Sequence, residues 1–427
     1  MQLPCRSLLA GAALLAATLA PAKTLIYAGS LIDGRADTAR KVVTITVEGE
    51  RITGLADGYT APGAGDTVID LKNATVLPGF IDCHVHLTSE QSSKSYTERF
   101  YLNPADYAYR STVYAKRTLL AGFTTVRDLG ADDYLDIALR KAIAEGWVDG
   151  PRIYAVGTPI GSTGGHVDPT TGLNYQLQEK IPAENVINGA DDARRAVREH
   201  FKHGADLIKI MPSAGVLSLE TSGDNPQLDD DEIRAIVTTA HEYGMKVAAH
   251  AHGAEAIRRA VIAGVDSIEH GTYMNDEDMA LMKEHSTYYV PTISAGRFVA
   301  DKAKIAGYFP EGVRVKAAAI GPLIQATAGR AYKAGVKMAL GTDQGVAPHG
   351  ENAKEFVYMV EAGIPNMKAI QAGTIEGAKL IGHDSDFGSV ETGKFADIVA
   401  VVGDPLADIS VLTKVSFVMK AGKVYKQ

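Results

Sequence analysis

Five times along this chain a helical pattern stops at a glycine and an apolar run begins at once. The sites are Ala121–Gly122–Phe123, His203–Gly204–Ala205, Tyr243–Gly244–Met245, Ala263–Gly264–Val265 and Ala334–Gly335–Val336. Glycine just past a helix end, followed directly by a strand, is the helix-to-strand turn of a β/α repeat. Such repeats build either a closed barrel or an open, doubly wound sheet. The open sheet usually carries a phosphate-binding fingerprint, and neither G-x-G-x-x-G nor G-x-x-x-x-G-K-[ST] follows a strand here. The punctuation therefore predicts an α/β fold, a (β/α)8 TIM-like barrel.

The apolar runs end in unusual residues. Val76 to His86 closes on His84 and His86, Asp206–Lys209 on Lys209, and Lys246–His250 on His250. Asp266–His270 closes on His270 and Val336–Asp343 on Asp343. Further strands are expected at Thr124 to Arg127, Ile153 to Val156 and Tyr288 to Thr292. Barrel enzymes keep their chemistry at the carboxyl ends of the strands. Gly244 and Gly264 each precede a histidine by six positions, which predicts that His250 and His270 stand at matching heights.

A chain of 427 residues accommodates a barrel of about 250 residues and a smaller domain. Strand-like segments lie at both ends: Thr24 to Ala28, Val42 to Val47 and Arg51 to Leu55, then Ile398 to Val402, Val415 to Met419 and Lys423 to Tyr425. The apolar strand before Val402 is read as part of a turn-and-strand segment that starts at Gly388, and all these segments are expected to pair into one small β-sandwich domain over residues 23–74 and 385–427, with the barrel over 75–384 inserted between them. A net charge of −8, without runs of Lys or Arg, argues against nucleic acid as a partner.

Residues 1–22 read as a signal peptide. Arg6 is the basic start, Leu8 to Ala20 the apolar core and Ala20–Pro21–Ala22 a small-x-small cleavage site. An uncleaved anchor is the competing reading, but the apolar core is too short for a membrane span. The expected location is periplasmic or secreted. Of the two cysteines, Cys5 leaves with the leader, so Cys83 has no intrachain disulfide partner. Strand alternation turns Cys83 away from the face shared by His84 and His86, which favours a packed thiol over a reactive one.

His84 and His86 project to one side of an extended segment. With His250, His270 and Asp343 they supply the nitrogen and oxygen donors of a divalent-metal site, zinc first, with cobalt or manganese as workable substitutes. Lys209 stands among apolar neighbours where a charged amine is costly. Burial lowers a lysine's pKa, and the neutral amine can add CO2 to give a carbamate able to bridge two metals. A lysine paired with an acid and a Schiff-base lysine are the alternatives. His252 competes with His250 as the ligand, because both face the same way.

Leu77–Pro78–Gly79–Phe80–Ile81–Asp82–Cys83–His84–Val85–His86, Gly204 to Ile210, His250–Ala251–His252–Gly253, Ser267 to Thr272, Gly341–Thr342–Asp343 and Gly393 to Val399 together resemble the amidohydrolase superfamily. The resemblance spans the whole chain after the leader and is nearest to its imidazolonepropionase-like and prolidase-like subgroup. It is similar in particular to secreted bacterial carboxypeptidase-like members, including those that hydrolyse ochratoxin A. The resemblance implies two divalent metals, with His84, His86 and Asp343 on the more buried one, His250 and His270 on the other, and carboxylated Lys209 between them. A metal-bridging hydroxide would attack the amide carbon while Asp343 moves the proton to the leaving amine. It also implies a homo-oligomer, an octamer among the options.

Three long loops are placed to shape a pocket: Gly157 to His166, Pro212 to Asp229 and Gln344 to Asn352. His166 either polarises the scissile carbonyl or holds a substrate carboxylate, as the resemblance suggests, or is a solvated loop residue. His252 is a second substrate-binding candidate. Val216 and Leu217 offer an apolar wall or pack the loop to the barrel. Arg127–Asp128 either lines the pocket or forms an ion pair at the barrel mouth. The expected activity is release of a C-terminal amino acid from a dipeptide or N-acyl amino acid, a small-molecule substrate, and the expected class is a metal-dependent hydrolase. A cyclic-amide hydrolase of the imidazolonepropionase type, a one-metal deaminase and a non-catalytic binding protein on the same fold are the alternatives.

Overall fold

The computed structural model describes residues 22–427. The leader and Cys5 lie outside the described residues, apart from Ala22. Among the described residues no helix is long and apolar enough to cross a membrane.

The two ends of the chain meet in one sheet. Strands β1 (Thr24–Leu31), β2 (Arg40–Glu48), β3 (Arg51–Asp57) and β4 (Thr67–Pro78) come from the first end. After β5 (Phe80–Val85), β6 (Phe123–Asp128), β7 (Arg152–Ala155), β8 (Gly161–Ser162), β9 (Val186–Ile187), β10 (Leu207–Ile210), β11 (Lys246–Ala251), β12 (Ser267–His270) and β13 (Tyr288–Val290), the second end supplies β14 (Ile398–Val401), β15 (Val415–Lys420) and β16 (Lys423–Lys426). Hydrogen bonds order them as one continuous seven-stranded sheet, β16-β15-β14-β4-β1-β2-β3. The sheet curls, because β3 at its far edge exchanges backbone hydrogen bonds with the chain entering β14: Ile52 N–H donates to Lys394 O and Gly393 N–H to Ile52 O. Ile26, Val43 and Ile45 from the first end thus share a core with Ile398, Phe417 and Met419 from the second.

A single residue, Gly79, separates β4 from the first barrel strand β5. A methyl group there would lie 2.1 Å from the Thr124 hydroxyl, so the crossover is open only to glycine.

The barrel is two parallel sheets, β5-β6-β7 and β10-β11-β12-β13, joined by isolated bridges. Asp206 N–H donates to Ala155 O and Ile160 bridges Ile210, which joins β7 to β10. The 336–344 stretch closes the ring, with Met338 bridging Tyr289 of β13 and Gln344 bridging Val85 of β5. The sequence predicts a strand there. The stretch is a stave without a regular ladder, because its Leu340 N–H turns out of the ring to Ala372 O and Asp343 is left-handed at φ 58°. The helix-ending glycines behave as the sequence predicts: Gly204 and Gly264 are left-handed C-caps at φ 88° and 96°. Alternate residues of the staves pack outward on helices, as Ile208 and Val247 do on Ile233 and Ile236. The others face the axis, where Leu129, Val156, Leu207 and Ala248 pack together.

Candidate active site

His84 and His86 point the same way from the end of β5, and both aim Nε2 at one oxygen. Asp343 Oδ1 lies 3.6 Å from His84 and 3.2 Å from His86. Their other ring nitrogens are tied down. His84 Nδ1 is 2.9 Å from buried Glu269 Oε2, and His86 Nδ1 donates to Gly130 O at 2.9 Å. Fixing one imidazole nitrogen in this way selects the tautomer and leaves Nε2 as the donor to a metal.

Glu269 is held in turn. Arg127 donates to it at 2.6 Å, to Ser267 Oγ at 3.0 Å and to Cys83 O, and Ser267 also donates to Glu269. Burial pushes the Glu269 carboxyl up, but the charges of Arg127 and His84 outweigh it and hold it at about 2. Arg127, left between two roles by the sequence, therefore belongs to a buried ion pair beneath the site, away from the cavity wall. Asp128 is likewise buried, accepting from Leu87 N–H.

On the opposite side, His250, His252 and His270 each bring a ring nitrogen within 4.8 Å of the others, and His84, His270 and Asp343 do the same. The two triads share His270, so they form one continuous group. His270 Nδ1 pairs with Thr292 Oγ1 at 2.8 Å and His252 Nδ1 with Thr272 Oγ1 at 2.8 Å, while His250 Nε2 lies 3.3 Å from Ala214 O. Both His250 and His252 are thus placed to donate.

The matching heights expected for His250 and His270 are displaced by one residue. The β11–β12 register pairs His250 with Glu269, and His270 with Ala251. Since Ser267 and Glu269 face the axis, alternation would turn His270 outward. Its left-handed backbone, φ 71°, swings it back into the site. Thr292 and Asp343 are left-handed as well, and backbone strain of this kind clusters where side chains must be aimed.

Burial sets the protonation. It takes His84 down to about 4 and His252 to about 3, with the charge of Lys209 and His166 adding to the effect, and it holds His250 and His270 well below the usual histidine range. For His86 the pull of burial is outweighed by Asp343, and its pKa rises. Burial brings Lys209 to about 8, against the charges of Glu269 and Asp343. Those acids are engaged by His84, His86 and Arg127, and among the described residues none pairs with Lys209. Imidazoles, all but His86 held neutral by burial, with a carboxylate and an amine that no acid pairs among the described residues, fit a divalent-metal site of the zinc type.

This group is the floor of a cavity of about 930 Å³, lined by every predicted site residue: His84, His86, His166, Lys209, Val216, Leu217, His250, His252, His270 and Asp343. Val216 and Leu217 do both things the sequence left open, facing the cavity while packing against Val313, Ala317 and Ile320 of the Glu311–Ala334 helix. His166 stacks on His250 with ring centroids 4.5 Å apart. Its Nδ1 lies 2.6 Å from Ser218 Oγ and 3.7 Å from Glu220 Oε1. A serine nucleophile with a histidine base needs the serine and the acid on different ring nitrogens. Here both meet the same one, so His166 is not such a base. Cys83 is fully buried among Ile81, Ala378 and Phe387, and burial pushes its thiol up to about 12.

Glu269, Thr272, Thr292, Ser218, Glu220 and Tyr96 escaped the reading of the sequence. Only Glu269 left a trace there, an acid inside an apolar run beside His270.

The family profile described as "Amidohydrolase family" matches residues 75–425. The ochratoxinase of Aspergillus niger is 31% identical over 424 residues, covering 94% of this chain and 86% of that protein. A crystal structure of a Xaa-Pro dipeptidase with methionine bound in its active site superposes with a TM-score of 0.93 at 49% identity, covering 95% of this chain and all of the other (100%). A prolidase complexed with N-methylphosphonate-L-proline gives 0.86 at 32%, with coverage of 95% and 100%. The chain belongs to the amidohydrolase family and is a hydrolase of amide bonds.

Proposed function

We propose that the chain hydrolyses dipeptides or N-acyl L-amino acids to release the C-terminal amino acid, aromatic acyl amides such as ochratoxin A among its substrates. Two divalent metals, zinc first, would be held by His84, His86, Lys209, His250, His270 and Asp343. The observation that carries this reading is the convergence of buried imidazoles, Asp343 and a buried lysine without an acid partner among the described residues at the floor of a cavity. The likeness to a Xaa-Pro dipeptidase, a prolidase and an ochratoxinase points the same way.

Bound there, a metal pair would supply a water acidic enough to attack at neutral pH and a Lewis acid for the carbonyl. Lys209 would serve as its carbamate: the ammonium gives up a proton, the neutral amine nitrogen bonds to CO2 and loses a second proton, and an anionic oxygen pair replaces a cation among the imidazoles. Asp343 keeps its carboxylate because His84 and His86 outweigh its burial. It would accept the proton of the attacking water and return it to the departing nitrogen. His166, fixed at Nδ1, offers Nε2 to the substrate carbonyl or carboxylate. Val216 and Leu217 would bear on an apolar side chain. Residues 1–22 would direct export, leaving a mature chain that begins at Lys23, which intact-mass measurement reads directly.

The test is chromatography of free amino acids after incubation of zinc-loaded enzyme with X-Pro, X-Phe and X-Lys dipeptides, N-acyl-phenylalanines including ochratoxin A, and a cyclic amide. Amino acid release stopped by chelator supports the reading. Ring opening alone moves the assignment to the cyclic-amide branch.

A further inference from the structure

The loop after β10 is fastened from outside the barrel by one cation. Lys316, on the Glu311–Ala334 helix, directs Nζ to three main-chain carbonyls: Gly215 O at 2.9 Å, Ser218 O at 2.9 Å and Glu220 O at 2.7 Å. An ammonium has three protons to donate, and all three go to one short loop. The Tyr96 hydroxyl adds a fourth tie, donating to Leu217 O at 2.8 Å. Lys316 does not itself line the cavity.

What the loop holds is His166. Gly215 lies so close over the imidazole that a methyl group on it would fall 2.0 Å from Cε1 and 2.2 Å from Nδ1. Ser218 and Glu220, both inside the clamped stretch, meet Nδ1. The same ring stacks on His250, whose Nε2 is 3.3 Å from Ala214 O at the loop's start. One stretch of backbone thus carries the contacts at one nitrogen of His166 and the surface its ring lies on. The free edge is Nε2.

We infer that Lys316 and Gly215 are positioning residues. Lys316 locks residues 215–220 in one conformation, and the unsubstituted backbone at Gly215 lets that conformation press on His166 and aim it at the substrate. The inference rests on the reading that His166 meets the substrate. It assigns a role to two residues that never touch the reacting atoms. Misplacing a substrate-orienting group by about 1 Å costs as much as 100-fold in rate.

Two variants separate the clamp from the surface it acts through. Lys316→Met keeps the length of the side chain and removes the donors. Hydrogen exchange read by mass spectrometry should speed up in peptides covering 213–221 and stay unchanged elsewhere, with metal content unaltered. In amino acid release, kcat should fall about 10- to 100-fold with a smaller change in KM. Gly215→Ala should lose kcat similarly while the loop exchanges as in the wild type, since its clamp is intact. Combined with His166→Ala, Lys316→Met should cost nothing beyond His166→Ala alone, the signature of a shared path. Unchanged exchange in Lys316→Met, or losses that multiply with His166→Ala, overturns the inference. If Lys316→Met does not fold, wild-type kcat in Gly215→Ala overturns it instead. A wild type that releases no amino acid from any substrate removes the functional reading, while exchange still decides whether the clamp exists.

Discussion

Lys209, buried and without an acid partner among the described residues, makes the sharpest demand at the scale of single residues. Lys209→Ala is expected to lose bound metal and nearly all turnover while circular dichroism stays native, and full activity without added short-chain acids would refute the bridging carbamate. Glu269 makes a second demand. Its carboxylate fixes His84 Nδ1, so Glu269→Gln should weaken metal binding about 10- to 100-fold in competition with a chelator of known affinity. The residues at strand ends were legible because a histidine, lysine or aspartate closing an apolar run stands out from its neighbours. The residues that aim them were not. Nothing in the sequence marks the hydroxyls of Thr272, Thr292 and Ser218 as partners of a histidine, and only folding brings them within 2.8 Å, 2.8 Å and 2.6 Å of an imidazole.

Elements were read well where a rule of local chemistry governs them. Gly204 and Gly264 end helices as left-handed caps, and the strands after them fall where expected. Structure departs from sequence pattern where tertiary contacts override alternation: His270 is turned inward by φ 71°, and the 336–344 stave spends a backbone donor on Ala372. The helix Ile293–Lys302 shows a related device. Buried Glu355 accepts from Ile293 N–H at 2.8 Å and Ser294 N–H at 2.7 Å, next to the threonine that holds His270. Burial raises its carboxyl to about 7, against those hydrogen bonds. Between the ordinary glutamate value and 7 the folded protein keeps a proton that the unfolded chain releases. The stabilisation is therefore full below about pH 4.5 and lost as pH rises through 7. Glu355→Gln has no such titration. Denaturant unfolding at pH 5 and pH 8 should show the stability difference shifting toward the variant at the higher pH, by up to about 3 kcal/mol. A pH-independent difference would mean the carboxyl is not displaced.

For the whole molecule the proposed metal site would also be a staple, since its donors would come from β5, β10, β11, β12 and the closing stave. Chelator treatment should lower the thermal midpoint as well as stop turnover, and zinc should restore both. At a free metal concentration 1,000 times Kd the stabilisation is about 4 kcal/mol. An unchanged midpoint after verified metal removal would show that the barrel is held without it. Gly79 and the order of the terminal sheet have a consequence in time. The strand that leads into β5 lies between β1, near the start of the chain, and β14, near its end. While a ribosome is still adding the barrel, β4 has a neighbour on one side and an open edge on the other. That seam closes only when residues 398–401 emerge. Completion of the terminal sheet is thereby postponed until almost all of the polypeptide exists, however early the barrel strands are made.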